Sequence, residues 1–127
     1  MLRGNGNTVV GQQAQKVFYQ LSLNEVPLFL SIESAIEAIT GFDVGDFLSG
    51  RVNYFQRIHS DYHSLVSDTM LNAHTQRESY ELEYLLQHKE GHFIKIKDVA
   101  RPVCSAGSDI VTFIGELTLH EDSKLRM

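Results

Sequence analysis

SYELEYLLQHKEGHFIKIKDVARPVC (residues 79–104) consists of two alternating runs around Lys89, Glu90 and Gly91. If those three residues form the loop, Gly91 takes the left-handed position of a type I turn with a bulge. His88 then faces His92, and the pairs beyond are Leu86/Ile94, Tyr84/Ile96, Leu82/Asp98 and Tyr80/Ala100. The alternate pairs are Leu85/Lys95, Glu83/Lys97 and Glu81/Val99. One face is mostly apolar and the other carries an acid–base pair, the pattern of a half-buried sheet. A two-residue loop scrambles both faces, so the three-residue register is the one the sequence predicts.

Working outward, DIVTFIGELTLH (109–120) is rich in β-formers and adds a third antiparallel strand. Towards the amino end, FYQLSL (18–23) and LFLSIE (28–33) flank the polar turn NEVP (24–27) and predict a hairpin. Between these β regions, SAIEAITGF starts at Ser34, a capping residue with Glu37 three positions on, and stops at Gly41. DYHSLVSDTMLNAHTQ (61–76) spaces Leu65, Val66, Thr69, Met70 and Ala73 as one helical stripe, with Asp61 at the capping place. VVGQQAQKVFYQ (9–20) spaces Val10, Ala14, Val17 and Phe18 for a short amphipathic helix. The fold class is α+β, with helices inserted between strands two and three of an antiparallel sheet.

At 127 residues the chain suits one domain. Its net charge of −5 argues against nucleic-acid partners or contact with an anionic membrane. No apolar run reaches membrane-span length, and the Gly/Asn/Gln-rich start lacks a signal-peptide core. One cysteine, Cys104, leaves no internal disulfide and fits the reducing cytoplasm.

The register places Asp98 on the apolar face, where a buried carboxylate must find hydrogen-bond or ionic partners in backbone or arginine. With it, Tyr54, Met70, Tyr84 and Ile96 form the expected lining of a cavity between the long helix and the sheet. The large rings Phe47, Tyr54, Phe55, Tyr80, Tyr84, Phe93 and Phe113 are candidates to fill the space beneath the sheet. RIHSDYH (57–63) offers His59, Asp61 and His63 as metal donors. Helix capping accounts for Asp61 without a metal and spacing nominates no fourth ligand, so no metal site is expected. No phosphate loop, Cys-x-x-Cys or Gly-x-Ser-x-Gly is present, and the fragment is read as non-catalytic.

SIESAIEAITGF (31–42), RIHSDY (57–62), YELEYLLQHKEGHFIKIKDVARPV (80–103) and IVTFIGELT (110–118) together resemble a PAS domain, of the PAS fold-3 kind. The resemblance implies a five-stranded sheet of order 2-1-5-4-3, with residues 17–122 as the sensor domain. Residues 1–16 then form a leader or helix, and 123–127 begin an exit linker. It further implies a regulatory sensor or interaction domain within a larger signalling protein, with an output domain such as a diguanylate cyclase, phosphodiesterase or histidine kinase. A homodimer through the amino-terminal segment and an unidentified small ligand are the implied partners. The alternative is a ligand-free dimerisation scaffold.

The sequence departs from the family pattern at Glu33-Ser34, where Asn-Pro is frequent, and at Ser60, where proline is usual. Light-sensing relatives attach flavin through a cysteine whose place Asn53 takes in GRVNYFQ (50–56). Haem-binding relatives use a histidine on the long helix, which here carries His63 and His74. A helical wheel sets His63 opposite Val66 and Met70, so neither flavin nor haem is expected as a cofactor.

Overall fold

The computed structural model describes residues 16–23, 27–104, 107 and 111–120. Strands β1 (Lys16–Ser22) and β2 (Leu28–Ile32) come first, followed by helices α1 (Ile36–Thr40), α2 (Val44–Leu48) and α3 (His63–Gln76). Strands β3 (Tyr80–Gln87), β4 (Phe93–Cys104) and β5 (Val111–Leu119) complete one antiparallel sheet of order β2-β1-β5-β4-β3. The helices lie between strands two and three in the chain, as the sequence predicts.

The β3–β4 register is the expected one at every pair from Tyr80↔Ala100 to Leu86↔Ile94. Gly91 has φ +105°, and the His88 N–H donates to the His92 carbonyl at 2.8 Å to close the loop. On the outer face, the charges meet diagonally instead of straight across. Lys97 pairs with Glu81 at 3.3 Å and Lys95 with Glu83 at 3.8 Å. These exposed pairs contribute little to stability, and the inner face carries the fold. Leu82, Tyr84, Leu86, Ile94, Ile96, Phe113 and Leu117 pack beneath the helical layer.

Several local expectations give way. Ser34 does not cap α1: Ala35 holds the N-cap position, without any side-chain hydrogen bond. The chain stays tied to β1 through Glu33, whose N–H donates to the Phe18 carbonyl at 3.1 Å and whose carboxylate accepts from the Phe18 N–H at 3.0 Å. Too few residues remain for a capping loop at Ser34. The capping box falls one helix later, between Asp43 and Asp46. Gly41 does end α1, at φ +86°.

Asp61 does not cap α3 either. A 3₁₀ turn, Ser60–Tyr62, precedes the helix, and the His59 Nδ1 accepts the Asp61 N–H at 3.1 Å. The Asp61 side chain is left 82% exposed. The buried stripe of α3 is Val66, Met70 and Ala73, while Leu65 faces solvent. Phe93 is likewise exposed, because β4 turns it to the outer face. The expected amino-terminal helix lies outside the described residues, except that Val17 and Phe18 belong to β1.

Candidate functional site

Asp98 is 2% exposed and is held by tyrosines rather than by backbone or arginine. Tyr19 donates to its Oδ1 at 2.5 Å, and Tyr84 donates to its Oδ2 at 2.9 Å. Tyr19 also contacts the Tyr80 hydroxyl at 2.8 Å, and Tyr84 contacts the Tyr54 hydroxyl at 2.9 Å. An ionised carboxylate only accepts, so Tyr19 and Tyr84 spend their protons on Asp98. Tyr80 must then donate to Tyr19, and Tyr54 to Tyr84. Four hydroxyl protons converge on one buried charge.

Burial is the main cause of the electrostatics of this chain of groups. It raises the Asp98 carboxyl to about 6, against the lowering pull of the Tyr19 and Tyr84 hydrogen bonds. All four tyrosines are pushed up, first by burial and next by the Asp98 charge, and stay protonated. Tyr54 also anchors an aromatic cluster, edge-on to Phe29 at 5.4 Å and to Phe47 at 5.7 Å.

The structure thus brings Tyr54, Tyr84 and Asp98 together as one network. Ile96 is fully buried beside them, at 0% exposure. Met70 lies in the core and also reaches a separate opening, a cleft of about 510 Å³. Leu23, Pro27, Phe55, Ile58, Val66 and Met70 give the cleft apolar walls, while Gln56, His63, Ser67 and His74 add polar groups.

The wheel misplaced His63. His63, Val66, Ser67, Met70, Leu71 and His74 follow one another at helical spacing and all border the cleft. The His63 Nε2 already has a partner, the Ile58 carbonyl at 2.6 Å. Asn53 uses its Oδ1 to accept the Phe55 and Gln56 N–H groups at 3.0 and 3.2 Å, capping a 3₁₀ turn. Cys104 ends β4 beside Arg77, whose Nη1 lies 3.6 Å from the sulfur.

Tyr19 is the residue that sequence reasoning missed. It shares the buried face of β1 with Val17 and Leu21, and nothing local in FYQLSL links it to Asp98. Among the described residues, the possible donors His59, Asp61 and His63 of RIHSDYH are not gathered into one group. The group that is gathered among them is His88, Glu90 and His92 on the β3–β4 loop, with donor atoms within 4.8 Å of one another.

Comparison with known proteins agrees with this architecture. The PAS fold family model matches residues 29–116. No curated protein matches the chain by sequence. Among solved structures, the N-terminal domain of a diguanylate cyclase with PAS/PAC sensor from Marinobacter aquaeolei superimposes with a TM-score of 0.72. It is 19% identical, with 89% of this chain and 100% of that one covered. A sensory box histidine kinase/response regulator from Burkholderia thailandensis gives a TM-score of 0.65 at 14% identity, covering 96% and 88%. A light-oxygen-voltage domain studied with a flavin analogue gives 0.64 at 13% identity, covering 95% and 88%. At these identities the likeness is one of fold.

Proposed function

The chain belongs to the PAS fold family, and from that premise we propose that it is a regulatory sensor domain of a larger signal-transduction protein. It binds a small ligand in the cleft beneath α3 and relays occupancy to an output domain. A diguanylate cyclase, phosphodiesterase or histidine kinase is the output class we favour, since the first and last also occur among the structural neighbours. No catalytic step is assigned to the domain itself.

The observation that carries this reading is the cleft. Its volume of about 510 Å³ is within the range of small-molecule sites, and its walls are mostly apolar with few polar groups. A ligand with an apolar body and one polar end suits it, the polar end turned to Ser67 or His74. Met70 links the two regions: it lines the cleft and belongs to the same buried core as Tyr54 and Tyr84.

Native mass spectrometry of the purified chain, compared with the same sample denatured, tests the reading. A mass difference that disappears in a Met70→Trp variant supports the cleft as the ligand site. An identical mass in both states, together with no thermal shift across a panel of small amphipathic molecules, rejects it.

One observation favours a second reading, the ligand-free scaffold. Phe47, Tyr54, Tyr84 and Phe113 fill the space directly under the sheet, so the domain has a complete core without any guest. In either reading we take the assembly to be a homodimer. Phe18, Val99 and Ile114 are exposed on neighbouring strands of the outer sheet face, and a two-fold axis lets one such patch meet its own copy.

A further inference from the structure

The loop joining β3 to β4 carries a second chemistry, remote from the cleft. His88 and His92 lie on either side of Lys89, Glu90 and Gly91, and their rings stack with centroids 4.5 Å apart and planes 18° from parallel. Two imidazoles held face to face in this way gain little as an ion pair of any kind, since protonating both sets like charges against each other. Burial, followed by the His92 charge, lowers the His88 pKa. The lowering favours the neutral form of the His88 ring, the form that metal ions require.

The backbone fixes this arrangement before any ligand arrives. The His88 N–H donates to the His92 carbonyl at 2.8 Å, and the Gly91 N–H donates to the His88 carbonyl at 2.8 Å. The Glu90 N–H donates to the His88 Nδ1 at 3.0 Å, which keeps the lone pair of that ring on Nδ1, facing the loop. The Cε1–Nε2 edge of the ring rests on Gly41, where a built Cβ would come within 2.9 Å of Cε1 and 3.3 Å of Nε2. The two cations nearby are directed elsewhere. Arg57 donates to the Gln87 and His88 carbonyls, and the Lys89 ammonium lies 5.9 Å from the centre of the Phe42 ring.

We propose that His88, Glu90 and His92 form a binding site for a divalent transition metal of the imidazole-preferring class, with zinc as the representative ion. Two imidazoles and one carboxylate, with water completing the shell, are a suitable donor set for such an ion and a poor one for magnesium or calcium. The donor atoms lie within 4.8 Å of one another. Tetrahedral zinc asks for roughly 3.3 Å between donors at ordinary bond lengths, so side-chain rotations of about an ångström close the shell. The ion replaces the Glu90 N–H as the partner of the His88 Nδ1, and that N–H turns to water on the exposed loop. Because β4 continues from His92 through Ile94 and Ile96 to Asp98, an ion clamping this loop stiffens the hairpin that carries the buried network.

Zinc titration of the full chain at pH 7.5 against a chromophoric chelator tests this. One zinc per chain is expected, with affinity on the order of micromolar and no competition from millimolar magnesium. His92→Gln, at a half-buried position, and Glu90→Gln, at an exposed one, are each expected to weaken binding roughly tenfold or more, and circular dichroism verifies that they fold. His63→Gln combined with His74→Gln is expected to leave binding unchanged. Zinc binding that survives His92→Gln, that is lost with the α3 histidines, or that is absent from the wild-type chain overturns the proposal.

Discussion

The Tyr19 hydroxyl reaches the Asp98 carboxylate at 2.5 Å although β5 runs between their strands. The reach exists because of what β5 offers at the crossing. Tyr19 pairs with Gly115, and Gly115 pairs with Ala100 on β4. With no side chain on Gly115 and only a methyl on Ala100, the tyrosine ring lies flat across β5. A Cβ built on Gly115 falls 2.5 Å from the Tyr19 Cζ and 2.8 Å from the Ala100 Cβ. The glycine is therefore required by space rather than by backbone conformation.

Gly115→Ala is expected to destabilise the domain by roughly 2–4 kcal/mol, through overpacking and loss of the Tyr19 hydrogen bond. Combining it with Tyr19→Leu removes the clash with the ring, though not that with the Ala100 methyl, and the double variant should be more stable than the sum of the single losses implies. Urea unfolding of the four proteins measures this. A Gly115→Ala loss below about 0.5 kcal/mol would show that the ring does not depend on the glycine.

Arg57 ties the hairpin to the helical layer. Its Nε donates to the Gln87 carbonyl at 3.0 Å, its Nη2 donates to the His88 carbonyl at 3.2 Å, and its guanidinium stacks 4.6 Å from the centre of the Phe42 ring. Arg57→Lys keeps the charge but loses the fork and the flat stacking surface. We expect a loss of roughly 1–2 kcal/mol for the lysine variant. Hydrogen exchange should quicken at His88 and Gly91 ahead of the rest of the sheet; uniform exchange rates would refute the tie.

The hairpin was legible because period-two alternation on both sides of one loop admits a single register. The five-stranded order was legible only through resemblance, since alternation tells which face a residue takes and not which strand lies beside it. The same limit hid Tyr19 from Asp98: 79 positions apart, they meet because β5 inserts between β1 and β4. Caps were read less well. Ser34 and Asp61 are both suitable cap residues by type, but tertiary ties at Glu33 and the 3₁₀ turn at Ser60–Tyr62 moved the helix starts past them. His63 was misplaced on the wheel itself: Val66 and Met70, three and seven positions on, share its face, and all three border the cleft.

The homodimer we propose depends on the outer face and the amino-terminal segment. Phe18 is 48% exposed, and Val99 and Ile114 are each 37% exposed on adjoining strands. Light scattering at tens of micromolar is expected to give twice the chain mass, and a chain starting at Gln15, which keeps all of β1, is expected to be monomeric. Phe18→Asp in the full chain should also yield the monomer. Monomeric mass for the 127-residue chain would end the dimer reading.

The buried carboxylate makes a prediction about pH. Asp98 titrates at about 6 in the folded chain and at about 3.9 when unfolded. Between those values the folded state holds a proton that the unfolded state has released, so stability attributable to this group is greatest below pH 4. It is lost as the pH climbs through 6, by roughly 3 kcal/mol for about two pH units of displacement. The groups that face Asp98 are Tyr19 and Tyr84, backed by Tyr80 and Tyr54, all held protonated and so silent over this range. Asp98→Asn keeps one acceptor and carries no charge, and its amide can donate to Tyr19 once that hydroxyl turns towards Tyr80. The variant should therefore be near wild type at pH 4 and gain on it steadily up to pH 7. Other carboxylates titrate alike in both proteins and cancel in the difference. Urea midpoints measured in parallel at each pH give that difference directly, and a flat line would mean that Asp98 is not the buried charge the structure describes. Asp98→Ala goes the other way at every pH: it strands the Tyr19 and Tyr84 hydroxyls and opens a void, at a loss of roughly 2–4 kcal/mol.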